Sequence, residues 1–383
     1  MILTVITMLR MMNRLKCKYY IVLVIVLYLI IDYVGVIRYA RQMSYDTQFS
    51  YPYDGDVEKM VAMMKAGKQA PVPPVYPHDY YIRKNPNHKC LSADGGHYEQ
   101  LRLVYLVKSA AGHRERREAI RQSWGYETRF SDVPIRTVFL LGHPDHDVQL
   151  QAQVETESLQ HKDIVQGDFL DTYFNNSVKT AMGLRWAVES CPKSRFYMFV
   201  DDDYYVSTRN VLAYLRNPVN YPGYLQEDVI SFDEEEYKKQ IGRKLNQLVD
   251  FDLPSEVKLF TGYVFPRSRP QRFKWSKWFV DMLEYPFNFW PPYVTAGAYI
   301  LSRDALVDMY YTSYYTRMFR FDDIWLGLIA KKADIEPFHN SQFYFSPPQY
   351  TVMSYKYVVA SHGFSDPQHM IKIWNQQKQA GHA

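Results

Sequence analysis

Short apolar runs alternate with amphipathic segments along the chain from residue 101 onward. Continuous apolar runs, which are typical of strands buried on both faces, cover residues 101–107, 135–141 and 196–200. Helical periodicity covers residues 113–124 and 149–160, and a third helix, which Asp171 or Asn175 could cap, ends near Ser190. This alternation predicts an α/β fold with a mostly parallel central sheet.

Asp201, Asp202 and Asp203 directly follow the third predicted strand, so they emerge at its C-terminal end. Adjacent carboxylates repel one another and are tolerated inside a fold mainly when a cation lies among them, and Mg²⁺ or Mn²⁺ suits such oxygen ligands. Open α/β sheets bind nucleotides at the same strand ends. A solvated acidic turn is the alternative, but residues 204–206 are apolar and aromatic. The triplet therefore predicts a metal-assisted enzyme that acts on a phosphorylated donor.

A turn of small residues, 108–112, separates the first predicted strand from the first predicted helix. Arg114, Arg117 and Arg121 share one face of that helix. Backbone N–H groups at a helix start, together with arginines, are typical of phosphate sites. Because glutamates are interleaved with these arginines, a solvated basic face is an equally good interpretation of the pattern alone.

Two further groups of polar residues lie late in the chain. Asp322 and Asp323 precede an apolar helical segment, where one carboxylate can cap the helix and the other can serve as a base. His362 follows the apolar residues 358–360. A lone histidine is usually structural, but an imidazole near a carboxylate cluster is a common metal ligand.

Composition and the N-terminal segment restrict the class of protein. The 383 residues are 47% hydrophobic, which allows a large core, and the net charge of +4 does not suggest a nucleic-acid binder. Residues 19–37 are almost wholly apolar and have more basic residues before them than after. They predict an uncleaved signal anchor, with residues 1–18 cytosolic and the rest of the chain lumenal. A cleaved signal peptide is the alternative.

The segments outside the predicted sheet carry several expectations of their own. Residues 38–99 are rich in proline and predict a stem, and residues 228–256 are charged and predict a surface insertion. In an oxidising lumen, Cys90 and Cys191 are expected to form a disulfide. Asn175 begins the sequon Asn-Asn-Ser and is a candidate for glycosylation.

Taken in order, these motifs resemble glycosyltransferase family 31, the β-1,3-glycosyltransferases that include galactosyl- and N-acetylglucosaminyltransferases. The matching blocks are residues 108–110, 116–125, 139–142, 168–184, 200–206, 291–302, 322–327 and 362–375. The resemblance implies a GT-A-like, Rossmann-like catalytic domain over residues 100–383. Many members carry cysteines where this chain has Val294 and Ile329, so the fold is expected to form without that bridge.

The resemblance also implies a role for each candidate site residue. Mn²⁺ is expected to bind Asp203 and His362. Asp323 is expected to be the general base, with Asp322 as its rival. The residues expected to hold the nucleotide are Lys108, Arg117, Arg121, Asp201 and Asp202. Transfer would then proceed by in-line displacement with inversion and without a covalent enzyme intermediate.

The same resemblance gives expectations about substrates and location. Together with the predicted anchor, it implies a single-pass type II protein of the Golgi membrane. A closer likeness within the family, to an invertebrate β-1,3-N-acetylglucosaminyltransferase, is carried by residues 125–127, 129–133, 200–207, 284–287 and 319–323. This likeness implies UDP-GlcNAc as the donor and a mannose-terminated glycolipid as the acceptor. A β-1,3-galactosyl- or N-acetylgalactosaminyltransferase with the same machinery is a second hypothesis. A membrane-tethered carbohydrate-binding pseudoenzyme is a third. The intact triplet, Asp323 and His362 argue against it, because a carboxylate cluster is costly to bury without a function.

Overall fold

The computed structural model describes residues 2–51, 55–92, 94–226, 253–254 and 256–383, and it describes residues 2–17 and 226 by their backbone only. Two compact units divide the chain. The small unit comprises Met1–Ser50 and Arg267–Pro291, and the large unit comprises Tyr51–Pro266 and Pro292–Ala383. The predicted insertion at residues 228–256 lies almost wholly outside the described residues.

Strands and helices alternate through the large unit, as the sequence pattern predicts. The strands are β1 Ile82–Lys84, β2 Leu101–Lys108, β3 Ile135–His143, β4 Ile164–Leu170, β5 Ser194–Asp201, β6 Tyr204–Val206, β7 Phe260–Phe265, β8 Tyr293–Ser302, β9 Phe338–His339, β10 Phe343–Tyr344 and β11 Ala360–His362. The helices of both units are α1 Ile2–Tyr33, α2 Val36–Ala40, α3 Tyr45–Gln48, α4 Val57–Lys65, α5 Arg114–Arg121, α6 Val148–His161, α7 Asn176–Ser190, α8 Thr208–Arg216, α9 Gly223–Gln226, α10 Arg303–Ser313, α11 Asp322–Lys332 and α12 Pro367–Gln379.

Eight of these strands form one mixed sheet in the order β1-β4-β3-β2-β5-β8-β7-β9. The four central strands, β4, β3, β2 and β5, run parallel, whereas β1 and β8 are antiparallel to their neighbours. Strands β2, β3 and β5 are buried along almost their whole length, which explains their continuous apolar sequences. The predicted α/β architecture with a mostly parallel centre is confirmed.

A second sheet has three strands in the order β10-β11-β6, and its strand β6 begins directly after the acidic triplet. Strands β11 and β6 are antiparallel, and their register sets His362 opposite Tyr204. Because Tyr204 follows Asp203 directly, this pairing brings residues that are far apart in sequence to one place.

Three sequence predictions differ from the structure in detail. Helix α5 ends at Arg121 rather than near residue 124. The segment predicted as a stem contributes β1, which pairs with β4 at the edge of the main sheet. Asn175 occupies the N-cap position of α7, but its side chain makes no capping hydrogen bond. The pairing of β1 with β4 shows that a proline-rich segment can still add a short edge strand, because an edge strand needs few backbone hydrogen bonds.

The predicted disulfide is confirmed, since Cys90 is bonded to Cys191. Cys90 ends the 3-10 turn Asn87–Cys90, and Cys191 follows α7. The bond therefore fastens the connection between β1 and β2 to a helix packed on the sheet. Val294 and Ile329, the two positions where a second bridge is lacking, are both fully buried.

In the small unit, residues 19–37 do not form one continuous helix. Helix α1 ends at Tyr33, Gly35 adopts a φ of 86°, and α2 starts at Val36. Among the described residues, no helix combines the length and the apolar character that a membrane crossing needs. The anchor predicted at residues 19–37 is therefore not confirmed as a single spanning helix.

Candidate active site

The acidic triplet lies where β2 and β5 end side by side. Lys108 is the last residue of β2 and stands opposite Asp201, the last residue of β5, in their parallel register. The Asp202 backbone N–H donates to the Lys108 carbonyl at 3.1 Å. The three aspartates thus leave the sheet at its C-terminal edge, as predicted, but their side chains have different surroundings.

Asp202 is buried and is held by three protein donors. Its carboxylate accepts hydrogen bonds from Ser109 Oγ at 2.6 Å and Arg116 Nη1 at 3.0 Å, and lies 2.8 Å from His113 Nδ1. Burial alone would raise the pKa of Asp202, but its bonds to His113, Ser109 and Arg116 outweigh that effect and lower the pKa below its usual value. The expected contact between Asp202 and the nucleotide is not supported, because its carboxylate fixes the triplet to the start of α5.

Lys108 joins the triplet to the second acidic pair. Its buried ammonium lies 2.9 Å from Asp201 Oδ1 and 2.9 Å from Asp322 Oδ2, and donates to the Ala296 carbonyl at 2.8 Å. Burial opposes this charge, but the two carboxylates prevail and raise the pKa of Lys108 well above its usual value. Since all three donors are used, Lys108 serves as a shared counter-ion rather than as the expected nucleotide ligand.

The two members of the second acidic pair differ in their partners. Asp322 Oδ2 accepts from Lys108 Nζ and lies 3.3 Å from Thr180 Oγ1, with only 13% of its side chain exposed. Asp323 accepts the Ile324 backbone N–H at 2.8 Å and has no salt bridge with any described residue. Burial, reinforced by Asp322, raises the pKa of Asp323 to about 7. A base works best when its pKa is near the working pH, so Asp323 is the better candidate.

Asp201 has an unusual protonation equilibrium as well. Burial raises its pKa to about 7 against the opposing effect of Lys108, while Asp203 and Asp322 raise it further. The site therefore contains two carboxyl groups, Asp201 and Asp323, whose pKa values lie near neutral pH. Strongly perturbed groups that cluster at one strand edge are typical of functional sites.

Asp203 and His362 are adjacent, as the expected metal site requires. His362 Nε2 lies 3.3 Å from Asp203 Oδ2, and hydrogen bonding to Asp203 raises the pKa of His362. Neighbouring ligands of an octahedral ion at about 2.1 Å stand about 3 Å apart, so both atoms can hold one ion. The described residues contain no group of three or more metal-ligating side chains. Two protein ligands nevertheless suit an ion that also binds substrate phosphates.

Arg117 and Arg121 require a correction, because neither has a free face toward a nucleotide. Arg117 is fully buried and directs all its donors to Glu157, Ser109 Oγ and the carbonyls of Ala110 and Ala111, at 2.6–3.1 Å. Arg121 forms ion pairs with Glu157 at 2.8 Å and with Asp163 at 2.9 Å. These arginines hold α5 and the turn 108–112 against α6. Of the predicted basic face, Arg117 and Arg121 are therefore structural ion-pair partners, and Arg114 alone is exposed.

Sequence reasoning missed a second support of the same turn. Lys179 on α7 donates to the Ser109 carbonyl and to Asp171 Oδ1, both at 2.7 Å. Asp171 Oδ2 in turn accepts from the backbone N–H groups of Ala111 and Gly142. The sequence pattern predicts Asp171 only as a possible helix cap. Its apolar neighbours in the sequence gave no sign of a buried ion pair.

Gly297 lies at a close approach beside the triplet. A Cβ atom there would collide with the hydroxyl and ring of Tyr204, so any larger residue would require the Tyr204 ring to move. The Tyr204 ring lies 5.3 Å from the His362 ring. The small residues of β8 therefore allow the chain after the triplet to fold closely over the sheet edge.

Asn175, the glycosylation candidate, is partly exposed, and its side-chain amide donates to the Leu170 carbonyl at 2.8 Å.

Comparison with known proteins identifies the family. Residues 115–227 and 238–341 match the family model described as Galactosyltransferase. The chain is 41% identical to β-1,3-galactosyltransferase brn of Drosophila melanogaster, over 94% of this chain and 96% of that protein. It is 33% identical to β-1,3-galactosyltransferase 5 of Mus musculus, over 71% and 77%. It is 31% identical to β-1,3-galactosyltransferase 1 of Homo sapiens, over 81% and 82%.

These matches, together with the α/β fold and its acidic strand edge, define a sugar-transferring enzyme. The chain belongs to glycosyltransferase family 31, the β-1,3-glycosyltransferases, and the resemblance of the motifs is confirmed. A solved structure of the apo form of the bifunctional glycosyltransferase WbbM aligns with a TM-score of 0.34 and 9% identity over 73% of this chain and 52% of that chain. That similarity is too distant to support an argument.

Proposed function

We propose that this protein is a metal-dependent, inverting transferase that moves a sugar from a UDP-sugar to a hydroxyl of a glycan or glycolipid. One observation carries the proposal: Lys108 lies 2.9 Å from both Asp201 and Asp322, and so brings the acidic triplet and the acidic pair that includes the candidate base into one site. The triplet side would take the donor, and the Asp323 side would take the acceptor.

Asp203 and His362 would hold the divalent ion, which we propose to be Mn²⁺, since carboxylate and imidazole both suit it. When bound, the ion supplies charge neutralisation for the departing UDP. Asp201 would contact the ribose or uridine, because part of its side chain remains exposed despite the bond to Lys108.

Asp323 would accept the proton of the acceptor hydroxyl. The acceptor oxygen forms its bond to the anomeric carbon from one side while the bond to UDP breaks on the other, and the electron pair leaves with UDP. One displacement inverts the anomeric centre, so an α-linked donor gives a β linkage. The carboxylate needs no covalent bond to the sugar.

Two donors have specific support. The motif resemblance favours UDP-GlcNAc and a mannose-terminated glycolipid. The names of the three relatives, which are all β-1,3-galactosyltransferases, favour UDP-Gal as the second candidate. We also propose a Golgi location with the large unit in the lumen. Its support is the disulfide, which suits an oxidising compartment, and the exposed apolar side chains of residues 19–30.

A donor screen on the detergent-solubilised full chain tests the function. The assay compares UDP-GlcNAc, UDP-GalNAc and UDP-Gal with a β-mannoside acceptor, with Mn²⁺ and with EDTA. We expect transfer from UDP-GlcNAc that EDTA abolishes. Transfer from UDP-Gal alone would replace the donor assignment, and transfer that survives EDTA would contradict the metal-dependent mechanism.

Asp203→Ala separates the metal site from the rest of the mechanism. We expect this variant to lose Mn²⁺-dependent UDP binding. Asp145→Ala is the matched control, because Asp145 is a surface carboxylate that is 71% exposed. Metal-dependent UDP binding by the wild type without transfer from any of the three donors would support the carbohydrate-binding pseudoenzyme instead.

A further inference from the structure

The small unit presents a cluster of large apolar side chains to solvent. Its residues Phe273, Trp275, Trp278 and Leu283, here named the aromatic loop, are all exposed, with Trp275 at 74% and Leu283 at 95%. These side chains are costly to leave in water, and exposed apolar clusters commonly mark interaction surfaces.

Hydrogen bonds from one buried side chain to the backbone fix the conformation of the aromatic loop. Arg272 is fully buried, and its guanidinium donates to the carbonyls of Val280 at 2.8 Å, Tyr285 at 2.6 Å and Phe287 at 3.0 Å. One side chain thereby closes the segment into a fixed loop. The apolar side chains cannot all turn inward, because the buried centre of the loop is occupied by Arg272.

The aromatic loop is fastened to the C-terminal end of α1. The Tyr33 ring meets the rings of Phe273 and Trp275 edge-on, with centroids 5.9 Å and 5.5 Å apart. Lys274 Nζ lies 3.3 Å from Asp32 Oδ2. The backbone of Gly35 passes so close to Arg272 that a Cβ there would lie 2.7 Å from its carbonyl oxygen. The loop and the helix end therefore form one surface.

Helix α1 extends this surface with apolar side chains on all sides. Every residue from 19 to 30 is a large apolar or aromatic residue and is at least 45% exposed. A helix that is apolar all round requires a nonpolar environment rather than water. Twelve residues of helix are about 18 Å long, which is less than the hydrocarbon thickness of about 30 Å but comparable with one leaflet.

We propose that the aromatic loop is a membrane-contact element, which lies in the headgroup region of the lipid bilayer that receives the apolar part of α1. Tryptophan favours this region because its ring is apolar and its N–H is polar. Lys274 and Lys277 each directly precede one of the tryptophans, so the surface combines apolar rings with positive charge, a composition that is common at membrane interfaces.

A sugar stacked on these rings is the competing occupant. One observation disfavours it: the Lys277 ammonium lies over the Trp278 ring, 4.5 Å from its centroid, and covers a face that a sugar would need. The proposal concerns lipid contact only. Lipid contact by the aromatic loop is independent of the transferase activity.

Tryptophan fluorescence offers a direct test, because all seven tryptophans lie in the part of the chain that the structure describes, and only Trp275 and Trp278 among them are exposed. The full chain is reconstituted into phosphatidylcholine vesicles that carry bromine either near the glycerol end or near the methyl end of the acyl chains. We expect stronger quenching by the shallow bromines than by the deep ones. We also expect the Trp275→Phe/Trp278→Phe double variant to lose at least half of that quenching.

Trp374→Phe is the matched control, since Trp374 is buried in the large unit and its loss should leave lipid quenching unchanged. The near-ultraviolet circular dichroism of each variant verifies the fold. Equal quenching of the wild type and the double variant would overturn the proposal. Absence of quenching, combined with protection of both tryptophans from acrylamide by a soluble mannoside, would overturn it in favour of sugar stacking.

Discussion

Asp323→Asn should abolish turnover and at the same time stabilise the protein. Burial raises the pKa of Asp323 from 3.8 to about 7, so its charge costs the folded state up to about 4 kcal/mol at neutral pH, at about 1.36 kcal/mol per pH unit. Because the folded-state pKa is raised, this cost grows as the pH rises above 3.8 and is complete above about 7. Asparagine removes the charge but still buries an amide, so we expect a gain of about 1–3 kcal/mol.

The loss of turnover follows from the proposed role of the same carboxylate. Without a base, transfer should fall by about 10²-fold or more, while UDP binding changes little. In the wild type, turnover should rise with pH through about 7, because only the ionised carboxylate can accept the proton.

Asp322→Asn is the matched substitution and should behave in the opposite way. It removes a charge-assisted bond from Lys108, and so stability should fall by about 2 kcal/mol. Turnover should persist. The pH at which turnover reaches half its maximum should be lower than in the wild type, because Asp322 contributes to the raised pKa of Asp323.

The assays are the turnover of both variants as a function of pH, UDP binding by calorimetry, and the thermal unfolding midpoint at pH 4 and pH 7. The stability gain of Asp323→Asn should be present at pH 7 and small at pH 4. Retention of more than about a tenth of wild-type turnover by Asp323→Asn would refute the assignment. A larger loss of turnover in Asp322→Asn than in Asp323→Asn would make Asp322 the base.

Two further predictions concern the support of the site. Arg117→Met should lower the free energy of unfolding by about 3–5 kcal/mol, because it leaves Glu157 buried with fewer partners. The folded molecules of this variant should keep the KM of the wild type for the donor. A raised KM with unchanged stability would instead identify Arg117 as a donor ligand. Cys191→Ser should lower the free energy of unfolding by up to about 4 kcal/mol, because the disulfide closes a loop of about a hundred residues. A thermal unfolding midpoint equal to that of the wild type would contradict a stabilising role of the disulfide.

The sequence was sufficient for the central sheet, because buried parallel strands leave continuous apolar runs that need no partner to be recognised. The strand predicted at 196–200 is β5, which extends by only a few residues. The three residues of β1 gave no comparable signal, since a short edge strand within a proline-rich segment lacks a pattern of its own.

The site residues show where such reasoning stops. Periodicity places Arg117 on one face of a helix, but it does not show that this face packs against Glu157, forty residues later in the chain. The pairing of Asp203 with His362 spans 159 residues and depends on the register of two three-residue strands, so the motif resemblance predicted it and spacing did not. The separate roles of Asp322 and Asp323 follow only from where Lys108 lies.

The position of Lys108 also constrains how this enzyme can change during evolution. Its single charge is shared by Asp201, on the proposed donor side, and Asp322, beside the proposed base. A substitution that adapts one side to a new sugar alters the counter-charge available to the other. New donor preferences are therefore easier to reach through residues that leave this ion triad intact, because a change within the triad lowers stability and alters the charge on both sides at once.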